Sequence, residues 1–157
     1  MKLVLMLTLA VILHAICVQA QTIPAEGTWG LRASIQSDNS VIMLPYRLSE
    51  NTTISPALGL VWVEDDSTTI LIGAHIQRFL NPGSRFASYI GFKAGALHFS
   101  PDGGDSDTIF LVGPLFGGEV FLTPRISVGV EAGIDLELGG DENALSTTTG
   151  AFLTYYF

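Results

Sequence analysis

The chain has 157 residues, room for one domain, of which 48% are hydrophobic and 14% charged, and its mean hydropathy is +0.44, high for a water-soluble protein. Fifteen acids against seven bases give a net charge of −8, which argues against nucleic acid as a partner, because that binding rests on phosphate neutralisation. One cysteine in the whole chain excludes a disulfide framework within it.

Met1 and Lys2 make a short positive start, residues 3–16 an apolar core, and Val18-Gln19-Ala20 a small-residue cleavage site. That order is a secretory signal peptide over residues 1–20. The alternative, lipid attachment at Cys17, meets Ile16 where such sites want Gly, Ala or Ser. Cleavage before Gln21 removes Cys17 and His14 and leaves a domain of residues 21–157 with six bases and fifteen acids, a net charge of −9. No apolar run after residue 20 approaches the roughly 20 residues of a helical span. A chain too apolar for water but lacking a helical span points to a membrane β-barrel.

Residues 28–36 alternate, with Trp29, Leu31, Ala33 and Ile35 on one face and Gly30, Arg32, Ser34 and Gln36 on the other. Such a period of two marks a β-strand with one apolar and one polar face. After the polar turn at 37–40, further strands are expected over 41–48, 53–63 and 68–79. Asn81-Pro82-Gly83-Ser84 is the strongest turn signal. Strands follow over 86–99, 108–122, 125–138 and 145–157, separated by a loop at 100–107, a tight Thr123-Pro124 turn and a loop at 139–144. The most regular of them, 125–138, sets Ile126, Val128, Val130, Ala132, Ile134, Leu136 and Leu138 against Ser127, Gly129, Glu131, Gly133, Asp135 and Glu137. Eight strands joined by short hairpins predict an all-β, eight-stranded antiparallel up-and-down transmembrane β-barrel. Pro45, Pro56 and Pro114 fall inside predicted strands, and a closed sheet has no free edge to hide a missing N–H. Bulges or breaks are expected there.

Connections after odd strands carry Asp38, Glu64, Asp65, Asp66, Asp102, Asp105, Asp107, Asp141 and Glu142, whereas those after even strands are flanked by Arg47, Arg78, Arg85 and Arg125. Alternate connections share one end of an up-and-down barrel, so one end is expected to be acidic and the other basic and tight. Aromatics near strand ends (Trp29, Tyr46, Trp62, Phe79, Phe86, Phe99, Phe110, Tyr155) suit interfacial girdles. Repeated glycines on the polar parity suit a narrow interior.

The last strand places Ala151, Leu153, Tyr155 and Phe157 on one face. This resembles the C-terminal signature of bacterial outer-membrane β-barrels, and the signal peptide with eight strands makes the chain similar to the small OmpA/OmpX-type barrels. The resemblance implies residence in the outer membrane of a Gram-negative-type bacterium, contact with outer-membrane lipid, and reading of Phe157, Tyr155 and Leu153 by the barrel assembly machinery. It implies no cofactor and a structural or surface-interaction role without catalysis.

With the apolar parity facing lipid, the lumen receives Arg32, His75, Gln77, Lys93, Glu119, Glu131, Asp135 and Glu137. An eight-stranded interior is only wide enough for its own side chains, so these are expected to plug it rather than line a conduit. Among them Arg32, Lys93, Glu119 and Glu131 are expected to meet in one charge cluster, since unpaired charges buried there are costly. His98-Phe99-Ser100 is similar to the H-x-S of outer-membrane lipid A deacylases, with Pro101 following where that family carries Asn, and on the fifth strand rather than near the chain's end. An ordinary strand end is the favoured reading. The acidic stretch 102–107 lacks the full calcium-loop spacing and a closing Glu, so no metal site is expected. Three rivals remain: a lipid-modifying enzyme, a passive pore, and a soluble secreted barrel with its two faces reversed around an apolar ligand.

Overall fold

A computed structural model describes residues 24–36, 40–63, 67–101, 105–139 and 143–157, apart from the side chains of 61–63. The expected signal peptide and most of the acidic loop residues fall outside this set. The strands are β1 (Gly30–Gln36), β2 (Ser40–Met43), β3 (Tyr46–Ser49), β4 (Thr52–Val63), β5 (Ser67–Phe79), β6 (Phe86–Pro101), β7 (Asp107–Thr123), β8 (Ile126–Leu138) and β9 (Ala144–Tyr156). All pairings are antiparallel: each strand pairs with its chain neighbours except β2 with β3, β1 pairs with β9, and β2 pairs with both β1 and β4. β2 and β3 are two halves of one strand, so the sheet closes as an eight-stranded antiparallel barrel. Complete strands of 12 to 17 residues exceed the 9–11 that a tilted strand needs to cross a bilayer.

The prolines act where backbone donors are missing. Pro45 stands in the gap between β2 and β3. Directly across it, the Pro56 carbonyl accepts from the Leu44 amide at 2.9 Å. In an extended strand a residue's C=O and N–H point to the same side, so the N–H that Pro56 lacks faces that same gap. The two prolines therefore share one interruption. At Pro114 the pairing with β8 lapses between Val112↔Leu136 and Leu115↔Gly133 and resumes in the same register. The register shifts that do occur are at Arg47/Ser49 and Phe121/Thr123. Both adjoin tight turns at the arginine-bearing end, the second beside Pro124.

The turn at Asn81 is built by one side chain. Its Oδ1 accepts from the Ser88 amide at 2.7 Å and the Ser88 hydroxyl at 3.0 Å, its Nδ2 donates to the Phe86 carbonyl at 2.6 Å, and Gly83 supplies the positive φ of 84°.

The two parities separate as the alternation predicts. Ile35, Leu58, Ile72, Phe116 and Val130 all stand on the outer surface, while Arg32, Arg47, Gln77, Glu119, Ser127 and Thr154 are at most 1% exposed. Six aromatics lie outside the girdle pattern. Phe79 points inward and is buried, as are Tyr89, Phe121, Phe152 and Tyr156. Phe99 lies on the inward parity of β6. The outer aromatic band at the turn end is real, with Trp29 and Tyr46 rings 4.5 Å apart and Tyr155 and Phe157 stacked at 6.5 Å.

Candidate functional site

The half of the lumen nearer the tight turns is filled by two carboxylates and their donors. Arg32 on β1 reaches Glu119 on β7, Nη2 donating to Oε2 at 3.3 Å, while its Nε donates to the Thr154 hydroxyl at 3.0 Å. The guanidinium also lies 3.9 Å over the Phe152 ring. The other oxygen of Glu119, Oε1, accepts from Tyr156 at 3.0 Å and from the Ser127 hydroxyl. Glu131 on β8 takes a different set. Its Oε2 accepts from Gln77 Nε2 and from the Tyr89 hydroxyl, both at 3.0 Å, and His75 Nδ1 stands 3.6 Å from Oε1.

Lys93 meets neither glutamate. Its Nζ lies 2.8 Å from Asp135 Oδ2, and the same oxygen accepts from Thr148. The expected single cluster of Arg32, Lys93, Glu119 and Glu131 is therefore corrected to three groups: Arg32 with Glu119, Lys93 with Asp135, and Glu131 with Gln77, Tyr89 and His75. The cause is register. Counting up from the turns puts Lys93 and Glu119 at one depth, but β6 and β7 pair Ala87 with Glu119 and Lys93 with Gly113. Gly113 carries no side chain and sits beside Asp135, so Lys93 reaches across it. The same device recurs below, where Tyr89 pairs with Gly117 and Gly117 with Glu131. A Cβ on Gly117 would stand 2.5 Å from the Tyr89 hydroxyl.

Arg47, expected at the basic turns, is instead wholly buried. It donates from Nη1 to Thr53 at 3.3 Å and from Nη2 to the Glu50 carbonyl, and it lies 4.6 Å over the Phe79 ring. Arg78 and Arg125 stay exposed at that end.

The loop-end half differs. There the lumen holds a cavity of about 280 Å³ whose lining includes Val41, Leu71, Leu97, Ile109 and Leu111, with His75, Lys93, Asp135 and Glu137 among its polar groups. The interior is thus plugged over the turn-end half only. Those apolar residues sit on the inward parity, so their signal was present in the sequence as an exception to polar-inside alternation.

On the outer surface at the loop end, Ser100 Oγ lies 3.1 Å from His98 Nε2, and His98 Nδ1 lies 2.9 Å from the Thr108 hydroxyl. The residue orienting the imidazole is a neutral hydroxyl rather than a carboxylate. Leu153, Tyr155 and Phe157 all project outward. Among the described residues no group of three or more His, Cys, Asp or Glu side chains is placed to hold a metal ion. The stretch 102–107 is described only from Asp105 on.

No family model matches the chain, and no curated protein resembles it in sequence. Among solved structures, the N-terminal β-barrel domain of Pseudomonas aeruginosa OprF superposes with a TM-score of 0.66 at 12% identity, over 84% of this chain and 98% of that one. Ail, the attachment invasion locus protein of Yersinia pestis, aligns over 83% of this chain and 94% of its own at 11% identity, with a TM-score of 0.44, too loose to argue from. The chain has the fold of the small outer-membrane barrels of OmpA/OmpX type: eight antiparallel strands closed on themselves, apolar outside and polar within.

Proposed function

We propose that the protein is an integral outer-membrane barrel with a structural or surface-interaction role, closed to free solute passage and without catalysis. The observation that carries this is the plug: Arg32, Glu119, Gln77, Tyr89 and Glu131 fill the turn-end lumen with side chains hydrogen-bonded to one another, beneath a continuous apolar exterior. The tight, arginine-bearing turns and both chain termini face the periplasm, and the acidic loops face outward. Outer-membrane lipid covers the apolar face, and the assembly machinery reads Phe157, Tyr155 and Leu153. Membrane fractionation and an impermeant thiol reagent on intact cells test the proposal. Cysteine at Asp105 should label and cysteine at Ser84 should not; Ser84 is chosen because it leaves the Asn81 turn intact. Labelling at Ser84 alone inverts the orientation, and recovery from the soluble fraction removes the membrane role.

A second reading has one observation in its favour. Ser100 hydrogen-bonded to His98 is the start of a nucleophile–base pair, and an ester in the surrounding lipid would be its substrate. The weak orienting group and the absence of an acid partner among the described residues count against it. Changing His98 or Ser100 to alanine is expected to leave the host's lipid A acylation pattern unchanged. Loss of deacylated species in both variants would establish the enzyme.

A further inference from the structure

The cavity in the loop-end half of the lumen has no part in the plug or in the outer surface. Five of its lining side chains, Val41, Leu71, Leu97, Ile109 and Leu111, are aliphatic, whereas the other half of the interior packs aromatic rings around buried charges. Aliphatic walls around polar groups are the composition of small-molecule sites. A dry protein cavity of about 150 Å³ accepts benzene; one of about 280 Å³ therefore admits a body of roughly two fused rings.

The charge balance of the polar groups decides what head group fits. Lys93 is matched by Asp135 at 2.8 Å. Asp135 spends Oδ2 on Lys93 and Thr148, while its Oδ1 is buried with no hydrogen-bond partner, in a residue only 3% exposed. Glu137, the next inward residue on β8, has no ion pair or side-chain hydrogen bond among the described residues. His75 and Glu131 form the remaining pair, neutral when the imidazole is protonated and negative when it is not. In either state the groups around the cavity carry more negative than positive charge. Asp135 Oδ1 is a buried acceptor without a donor, and the half-buried Glu137 carboxylate has no side-chain donor among the described residues.

We infer that the loop-end lumen is a binding site for a small cationic amphiphile, an apolar body of about two rings bearing one amine. The ammonium donates to Asp135 Oδ1 and Glu137, and the body packs against the aliphatic wall. An acid of the same skeleton meets two carboxylates, and an alcohol forgoes the charge-assisted bond, which is roughly twice as strong as a neutral one. The inference rests on the lumen geometry and goes beyond the structural role proposed above.

The test uses the barrel folded in lipid nanodiscs with methyl-labelled Ile, Leu and Val, titrated separately with 1-naphthylmethylamine, 1-naphthoic acid and 1-naphthalenemethanol. The amine should shift the inward methyls of Leu71, Leu97, Ile109 and Leu111 saturably and leave those of the outward Ile72 and Ile134 in place. The acid and the alcohol should bind at least about tenfold more weakly at the inward methyls. Glu137→Gln should weaken the amine by about tenfold, and Leu97→Phe, which fills the cavity, should abolish the shifts, both in barrels verified as folded by gel mobility. Shifts at outward methyls only would mean partition into the bilayer and no site. Equal response to all three compounds, no inward shift, or an unchanged response in folded Leu97→Phe would each overturn the proposal.

Discussion

Two carboxylates organise the turn-end half of the lumen, and each is surrounded by donors rather than matched to one cation. Glu119 binds Arg32, Tyr156 and Ser127, and Glu131 binds Gln77 and Tyr89. Glu119→Gln strands the buried Arg32 guanidinium, and breaking such a pair costs about 3–5 kcal/mol. That loss is read as a lowered urea midpoint in detergent. Adding Arg32→Met should recover part of the loss, because no uncompensated charge then remains. The same cycle between Arg32 and Glu131 should come closer to additivity, within about 0.5 kcal/mol. Coupling of Arg32 to Glu131 larger than to Glu119 would show that the pairing drawn here is wrong. Alternation in the sequence was enough to tell which of these residues face inward. It was not enough to tell which of them touch. Lys93 finds Asp135 only because β6 and β7 pair with Gly113 opposite Lys93, and the hydrophobic pattern alone does not fix that register.

The strand scale explains why glycine recurs on the inward parity. Gly117 stands between Tyr89 and Glu131, and a side chain there would collide with the Tyr89 ring and with the Val130 carbonyl. Gly117→Val should therefore displace Tyr89 from Glu131 and destabilise by about 1–3 kcal/mol or more, the usual cost of overpacking. Gly83→Ala should cost less, about 1 kcal/mol, through its positive φ of 84° with open space around it. Comparing the two urea midpoints separates packing from backbone strain, and equal losses would refute the crossing role of Gly117. Seven strands were legible as single elements because each is one stretch bounded by turn or loop residues. The second was legible only as a span, since Pro45 splits it into β2 and β3. Pro56 produced no second break because its missing donor faces the one already made. The register shift near Thr123 had no signal at all in the composition of that turn.

At the scale of the whole molecule the distribution of polarity is reversed from that of a water-soluble protein. Ile35, Leu58, Ile72 and Val130, each more than half exposed, belong to one apolar surface around the barrel, whereas the side chains no more than 1% exposed include two arginines and a glutamate. In water such a surface would drive association, and in lipid it is the stable arrangement, since closure leaves no strand edge unpaired. The soluble barrel with reversed faces, weighed from sequence, requires the opposite orientation of every strand. The closed architecture was legible from even strand spacing. The half-empty interior was not, because alternation says where a side chain points and nothing about whether the space between opposite walls is filled. Closure into a barrel that is stable in a membrane environment is measured by gel mobility before and after boiling. Protein refolded into detergent should run as a compact, SDS-resistant species without heating and shift to the mobility of the unfolded chain after boiling. One heat-insensitive band from detergent, with folded protein obtained instead in plain buffer, would contradict it.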